Sequence, residues 1–216
     1  MKISSLIQGG LIGSAAAMIA GHMRAENLVW TRDAISTFAA HAPLDEWVSI
    51  SMILLAFAIL LMGLEVSLRP KERSDLVAGL LPCLAGACAA GLLVLATFEE
   101  AISWVVSSQD PTQEQVRIQA FHDCGVLVFF FGSIITFVLF GVLGFRSAEG
   151  GKRYLRILPA AFAIAAWLTG SWAPFPSNAF GLKQRASLLL LWAGFASYAF
   201  LAPPERRRHR INMQSP

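Results

Sequence analysis

An all-α polytopic membrane protein, a bundle of six transmembrane helices with both termini cytoplasmic, is the fold that this sequence predicts. Three observations carry it. Of 216 residues, 56% are apolar and only 14% are charged, where a soluble domain would carry about 25% charge. The apolar residues come in long charge-free blocks, not in the short alternating strands of a transmembrane barrel. And the basic residues gather on alternate connections between those blocks.

Stretches without Asp, Glu, Lys or Arg run over residues 3–21, 47–64, 76–98, 124–145, 157–182 and 186–204, each at least 18 residues long. About 20 residues cross a hydrocarbon core of about 30 Å at 1.5 Å per residue. The first block resembles a signal peptide in having Lys2 before an apolar run. It is 19 residues long with no small-x-small site before Arg24, so it reads as a retained helix. In the third, Ala85-Gly-Ala-Cys-Ala-Ala-Gly91 is small all round, which suits close helix packing and puts this span at the centre of the bundle. In the fourth, glycines alternate with Phe129, Phe130, Phe131, Phe137 and Phe140, a packing or lipid-facing stripe. The fifth should end near Ser171, because Pro174 and Pro176 cannot continue a helix. Cys83, Cys88 and Cys124 all fall inside spans, without the close pairing of a metal knuckle or redox motif, and read as packing residues.

With an even number of spans, one side of the membrane holds 12 of the 17 basic residues, including Arg69, Lys71, Arg73, Lys152, Arg153 and the tail Arg206-Arg207-Arg208-His209-Arg210. The other side holds nine of the 14 acids. Lys and Arg are retained in the cytoplasm. The chain then divides into a six-helix transmembrane domain over 1–204 and a basic cytoplasmic tail over 205–216, in the plasma membrane. The tail suits anionic headgroups, so the net charge of +3 calls for no nucleic acid.

The inner connections are short, whereas the two outer ones, after spans 1 and 3, run to about 20 residues and carry most of the remaining polar chemistry. The first holds Asp33, Ser36 and His41 among Leu28, Trp30, Ile35 and Phe38, a composition suited to packing over the bundle mouth. The second begins with Glu99 and Glu100 and reaches Asp110-Pro111, a helix start with Asp110 as cap. A helix continuing from there into span 4 lines up Gln115, Gln119 and His122, with Asp123 beside them. His22 closes span 1, and Gln184 with Arg185 opens span 6.

Ionisable groups at this depth should face the bundle interior and pair there. The expected site is an outward-facing polar pocket binding a lipid or small apolar molecule, with Ser36, His41, Gln119, Gln184 and Arg185 as binding residues. Ion pairs such as Asp123 with Arg185 would lock the helix ends. The alternative is an intramembrane metal-dependent hydrolase or acid/base enzyme using His122, Asp123, Asp33 and Glu99, with a divalent metal on His122, Asp33 and Glu99. Against it stand the absence of His-x-x-x-His and His-Glu-x-x-His from every span. A third reading is an accessory subunit docking a membrane-protein partner. Transport is disfavoured, since no ionisable residue lies near the membrane midplane.

Asp33-Ala-Ile-Ser36, the acidic element after span 3, His122 opening span 4 and Gly181-Leu-Lys-Gln-Arg185 before the last span together resemble the bacterial and archaeal family called domain of unknown function 998. The resemblance covers nearly the whole chain. It implies a six-helix fold and a shared outer polar cluster, and brings no activity with it. A remoter similarity links the Ser, Asp and His near one membrane face to intramembrane hydrolases of the alkaline ceramidase type, although their paired-His helix is missing here.

The charge asymmetry predicts that a reporter active only in the cytoplasm will work when fused after Pro216. Activity of a periplasm-dependent reporter at that position would reverse the orientation.

Overall fold

The computed structural model describes residues 3–24, 45–68, 76–97, 112–147, 155, 157–171 and 180–201. These form six helices: α1 (Ile3–Arg24), α2 (Asp45–Ser67), α3 (Leu76–Thr97), α4 (Gln113–Ser147), α5 (Leu158–Ser171) and α6 (Phe180–Ala196). A π-helical turn, Ser197–Leu201, continues α6. No strand occurs among the described residues. Three helices contain stretches long and apolar enough to cross a membrane, at Ile3–Met23, Glu46–Ser67 and Val116–Leu139, while Leu80–Leu95 and Leu158–Thr169 are shorter apolar helices.

Each helix lies where an apolar block predicted one, and the boundaries have local causes. Helix α4 is 35 residues long, about 52 Å, well beyond the hydrocarbon thickness. It therefore runs unbroken from the outer connection into the span. Its first turn is set by Thr112, whose carbonyl accepts the Val116 N–H at 3.0 Å; the expected cap, Asp110, lies outside the described residues. Helix α5 starts with Pro159 in its first turn, where a missing N–H is harmless. It ends at Ser171, ahead of Pro174 as expected. Within α3, Pro82 cannot donate to the carbonyl four residues before it.

The helices pack in chain order, α1 on α2, α2 on α3, α3 on α4, α4 on α5 and α5 on α6, and α6 also touches α1 and α4. One buried cluster joins all six, from Ile7 and Leu11 through Ile59, Met62, Leu81, Cys88 and Phe137 to Ala163, Leu191 and Phe195. The expectation for the third span is corrected here. Helix α3 packs between α2 and α4 and leaves Leu80, Cys83, Ala87, Ala90 and Leu93 exposed. The enclosed helix is α6, in which only Leu189 and Phe200 are exposed between Gly181 and Phe200. Enclosure follows from its polarity: Lys183, Gln184 and Arg185 in its opening turns are best kept from lipid. Of the cysteines, Cys88 is buried, but Cys83 and Cys124 are exposed and do not pack in the core.

Because lipid is as apolar as a leucine side chain, helix association here depends on close approach. At the crossing of α3 and α4 the two backbones themselves come close. A Cβ on Gly91 would lie 2.9 Å from the Gly125 carbonyl oxygen, and one on Gly125 would lie 3.0 Å from the Gly91 oxygen. Both obstacles are backbone, so neither can swing aside. Gly125→Ala is expected to destabilise the bundle by about 1–3 kcal/mol through overpacking, read as a lowered midpoint in detergent unfolding. Gly86→Ala, at a glycine with no atom in the way, should leave that midpoint within about 0.5 kcal/mol of the parent.

Candidate functional site

The antiparallel order brings the C-terminal ends of α1, α3 and α5 to the same end of the bundle as the N-terminal ends of α2, α4 and α6. The contacts agree: Gly21 abuts Val48 of α2, Gly125 abuts Leu95 of α3, and His22 meets Arg185 of α6. Two polar clusters stand at this end.

The first joins α1 to α6. His22 Nδ1 lies 2.8 Å from the Met18 carbonyl, one turn earlier in its own helix. Only an N–H can satisfy a carbonyl, so Nδ1 donates, and Nε2 is left with its lone pair. That lone pair accepts Arg185 Nε–H at 3.0 Å. The two roles are mutually consistent and describe a neutral imidazole. Arg185 Nη1 also donates to the Gly181 carbonyl at 3.1 Å, holding the long side chain along its own helix. Two further bonds tie the same helix pair: Gln8 Nε2 to Ala199 O at 3.1 Å and Trp192 Nε1 to Leu11 O at 3.3 Å. The Ala199 carbonyl belongs to the π-turn at the helix end, where carbonyls lack partners of their own.

The second cluster is on α4. Gln119 Nε2 donates to Asp123 Oδ1 at 2.7 Å, the i, i+4 relation of the predicted polar stripe. The same oxygen lies 3.3 Å from His122 Nδ1. The imidazole and the carboxylate face different surroundings. His122 is buried, with 8% of its surface accessible, while the Asp123 side chain is 60% exposed. Adjacent helical residues point about 100° apart, which accounts for the long Nδ1–Oδ1 distance. Arg117 stacks over the Phe121 ring at 5.7 Å.

The expected ion pair of Asp123 with Arg185 is not formed: Asp123 contacts Gln119 and His122, and Arg185 reaches His22. The reason lies in the packing. Helices α4 and α6 meet at Phe137 and Phe195, with ring centroids 4.4 Å apart, about 21 Å along α4 from Asp123. Gln184 is half-buried beside Arg185. Asp33, Ser36, His41, Glu99 and Glu100 lie outside the described residues, as does the tail. Among the described residues, no group of three His, Cys, Asp or Glu side chains could hold a metal ion.

Several polar residues were not singled out by sequence. Gln8 and Trp192 cross the α1–α6 interface, and Ser14 and Ser51 hydrogen-bond across α1 and α2, with Ser51 Oγ donating to the Ser14 carbonyl at 2.8 Å. The available signal was Gln8 itself, the lone amide in an apolar span.

Residues 8–201 match the family model described as "Protein of unknown function (DUF998)". The chain belongs to this family. No curated protein and no solved structure matches it. The DUF998 match begins at Gln8 and extends through the π-turn that Gln8 reaches, so it spans all six helices and both polar clusters.

His22 and Arg185 are expected to be coupled energetically. In a double-mutant cycle of His22→Phe and Arg185→Met, the coupling should be about 1.5–3 kcal/mol, since the bond has one charged partner. Additive losses of unfolding free energy would show that the contact adds nothing.

Proposed function

We propose that this DUF998 protein is a multi-pass plasma-membrane protein, with residues 1–204 as its transmembrane domain and a basic tail, 205–216, on the cytoplasmic leaflet. In this reading the opposite end of the bundle receives the polar end of a membrane lipid or a similar small, largely apolar molecule. Arg185 supports it most directly. The arginine, in the opening turns of α6, is joined to a histidine at the end of the apolar span of α1, where a charged side chain is costly unless it has a use or a partner. His122, buried on a third helix at the same end, adds a second polar group. Ser36, His41, Asp33 and Glu99, from the two outer connections, are the residues that would complete the site.

A second reading, acid/base chemistry on a lipid-like substrate, is favoured by one contact. A carboxylate beside an imidazole nitrogen, here Asp123 and His122 at 3.3 Å, orients the ring for proton transfer. A divalent metal held by His122, Asp33 and Glu99 belongs to this reading.

Lipid retained by protein purified in mild detergent separates the two. Arg185→Gln should retain about ten-fold less lipid than the parent, the effect of losing a charge-assisted hydrogen bond to a headgroup. Equal retention would overturn the binding reading. Stoichiometric metal lost in His122→Ala would favour the catalytic one.

A further inference from the structure

Helices α1 and α6 form the seam that closes the bundle, and three hydrogen bonds stand along it: Gln8 to the Ala199 carbonyl, Trp192 to the Leu11 carbonyl, and Arg185 to His22. The first two join an amide and an indole to backbone carbonyls, none of which titrates. The third has an imidazole as its acceptor, and an imidazole in water gains a proton near about pH 6.5.

The geometry fixes what that proton does. His22 Nδ1 donates to the Met18 carbonyl at 2.8 Å, so the lone pair of the ring is on Nε2, where it accepts Arg185 Nε–H at 3.0 Å. A proton can therefore enter only at Nε2. There it sets an N–H against an N–H and a positive ring against a guanidinium, in a setting where water screens little. Arg185 is not free to swing away, because its Nη1 is held by the Gly181 carbonyl at 3.1 Å. Among the described residues, α6 brings two cations to this end, Lys183 and Arg185, and Arg24 follows on α1 itself; α2 opens with Asp45 and Glu46, and Glu46 is exposed. An acid facing solvent is screened, whereas Arg185 touches the ring.

Once that bond is lost, α1 stays with α2. A Cβ on Gly10 would lie 3.2 Å from the Leu54 carbonyl oxygen, Ser51 donates to the Ser14 carbonyl, and Gly21 abuts Val48 and Trp47. That contact is close along the whole of α1, while the contact of α1 with α6 is slight.

We propose that the His22–Arg185 bond is a pH-sensitive latch: protonation of His22 parts the ends of α1 and α6 that carry this pair, while the Gln8 and Trp192 bonds hold the opposite end as a hinge. Gln8 and His22 are about 21 Å apart along α1, so a small rotation at the hinge opens the seam toward lipid at the latch. The device goes beyond the lipid-binding reading and does not depend on it.

Spin labels at Met23→Cys and Leu189→Cys, both exposed positions, report the latch end in the full chain, with Cys83→Ala and Cys124→Ala removing the exposed native thiols. Labels at Ser5→Cys and Phe200→Cys, also exposed, report the hinge end. Distances are read by double electron–electron resonance from about pH 8 down to about pH 4.5, across the imidazole range. A longer distance should appear at the latch pair as the pH falls and vanish on return, with the hinge pair constant. His22→Gln can serve both partners, amide N–H to Met18 and amide oxygen to Arg185, yet takes no proton, so its latch distance should not move. Arg185→Gln removes the opposing charge, and the shift should shrink; if His22→Gln does not fold, this variant decides in its place. A parent latch distance that stays constant overturns the proposal, as does a shift that persists in His22→Gln or undiminished in Arg185→Gln. Equal shifts at both pairs, the mark of general unfolding, overturn it as well.

Discussion

A hydrocarbon environment offers no hydrogen-bond partner, and the closure of this bundle depends on that constraint. Helices α1 and α6 are joined by three hydrogen bonds spaced along their length, from Gln8 and Ala199 through Leu11 and Trp192 to His22 and Arg185. In water each would be replaced by solvent at little cost. Here the alternative is an amide, an indole or a guanidinium facing lipid, so the bonds specify which helix meets which. The glycine crossing of α3 and α4 answers the same constraint differently, with backbone approach and dispersion taking the place of hydrophobic burial.

The charged opening of α6 explains its location. Its first two turns carry Lys183, Gln184 and Arg185, yet among the described residues it is the helix with the fewest exposed side chains. The small residues of α3 leave room for neighbours on every side and would suit the middle of the bundle. Polarity decides instead, because exposing alanine or cysteine to lipid is harmless and exposing arginine is not. His22 suits its role, since its two nitrogens can serve a carbonyl and a cation at once only in the neutral ring.

The helices could be read from the sequence because charge-free runs are a strong signal, and so could the end of α5, because a proline leaves few choices. The membership in DUF998 was visible in short motifs such as Gly181-Leu-Lys-Gln-Arg185, and the match over residues 8–201 shows it. Partner choice was not readable. That Arg185 would meet His22 and not Asp123 depends on α4 and α6 converging at Phe137 and Phe195, a packing property that no local pattern encodes. The stripe of Gln119 and His122 was foreseeable from helical spacing alone; the inward turn of the imidazole and outward turn of its neighbouring carboxylate required the surrounding helices.

The Gln8–Ala199 bond also bears on biogenesis. It joins a residue of α1 to one in the π-helical turn that continues α6. While the ribosome is still producing α2 to α5, the Gln8 amide, the Leu11 carbonyl and His22 have no α6 to meet. The nascent chain must hold these groups in the translocon or against headgroups until α6 arrives. Ser14, in contrast, finds Ser51 on the very next helix. A stop codon ahead of α6 would therefore strand polar atoms of α1 in the bilayer, since their partners lie on α6 and its π-helical turn.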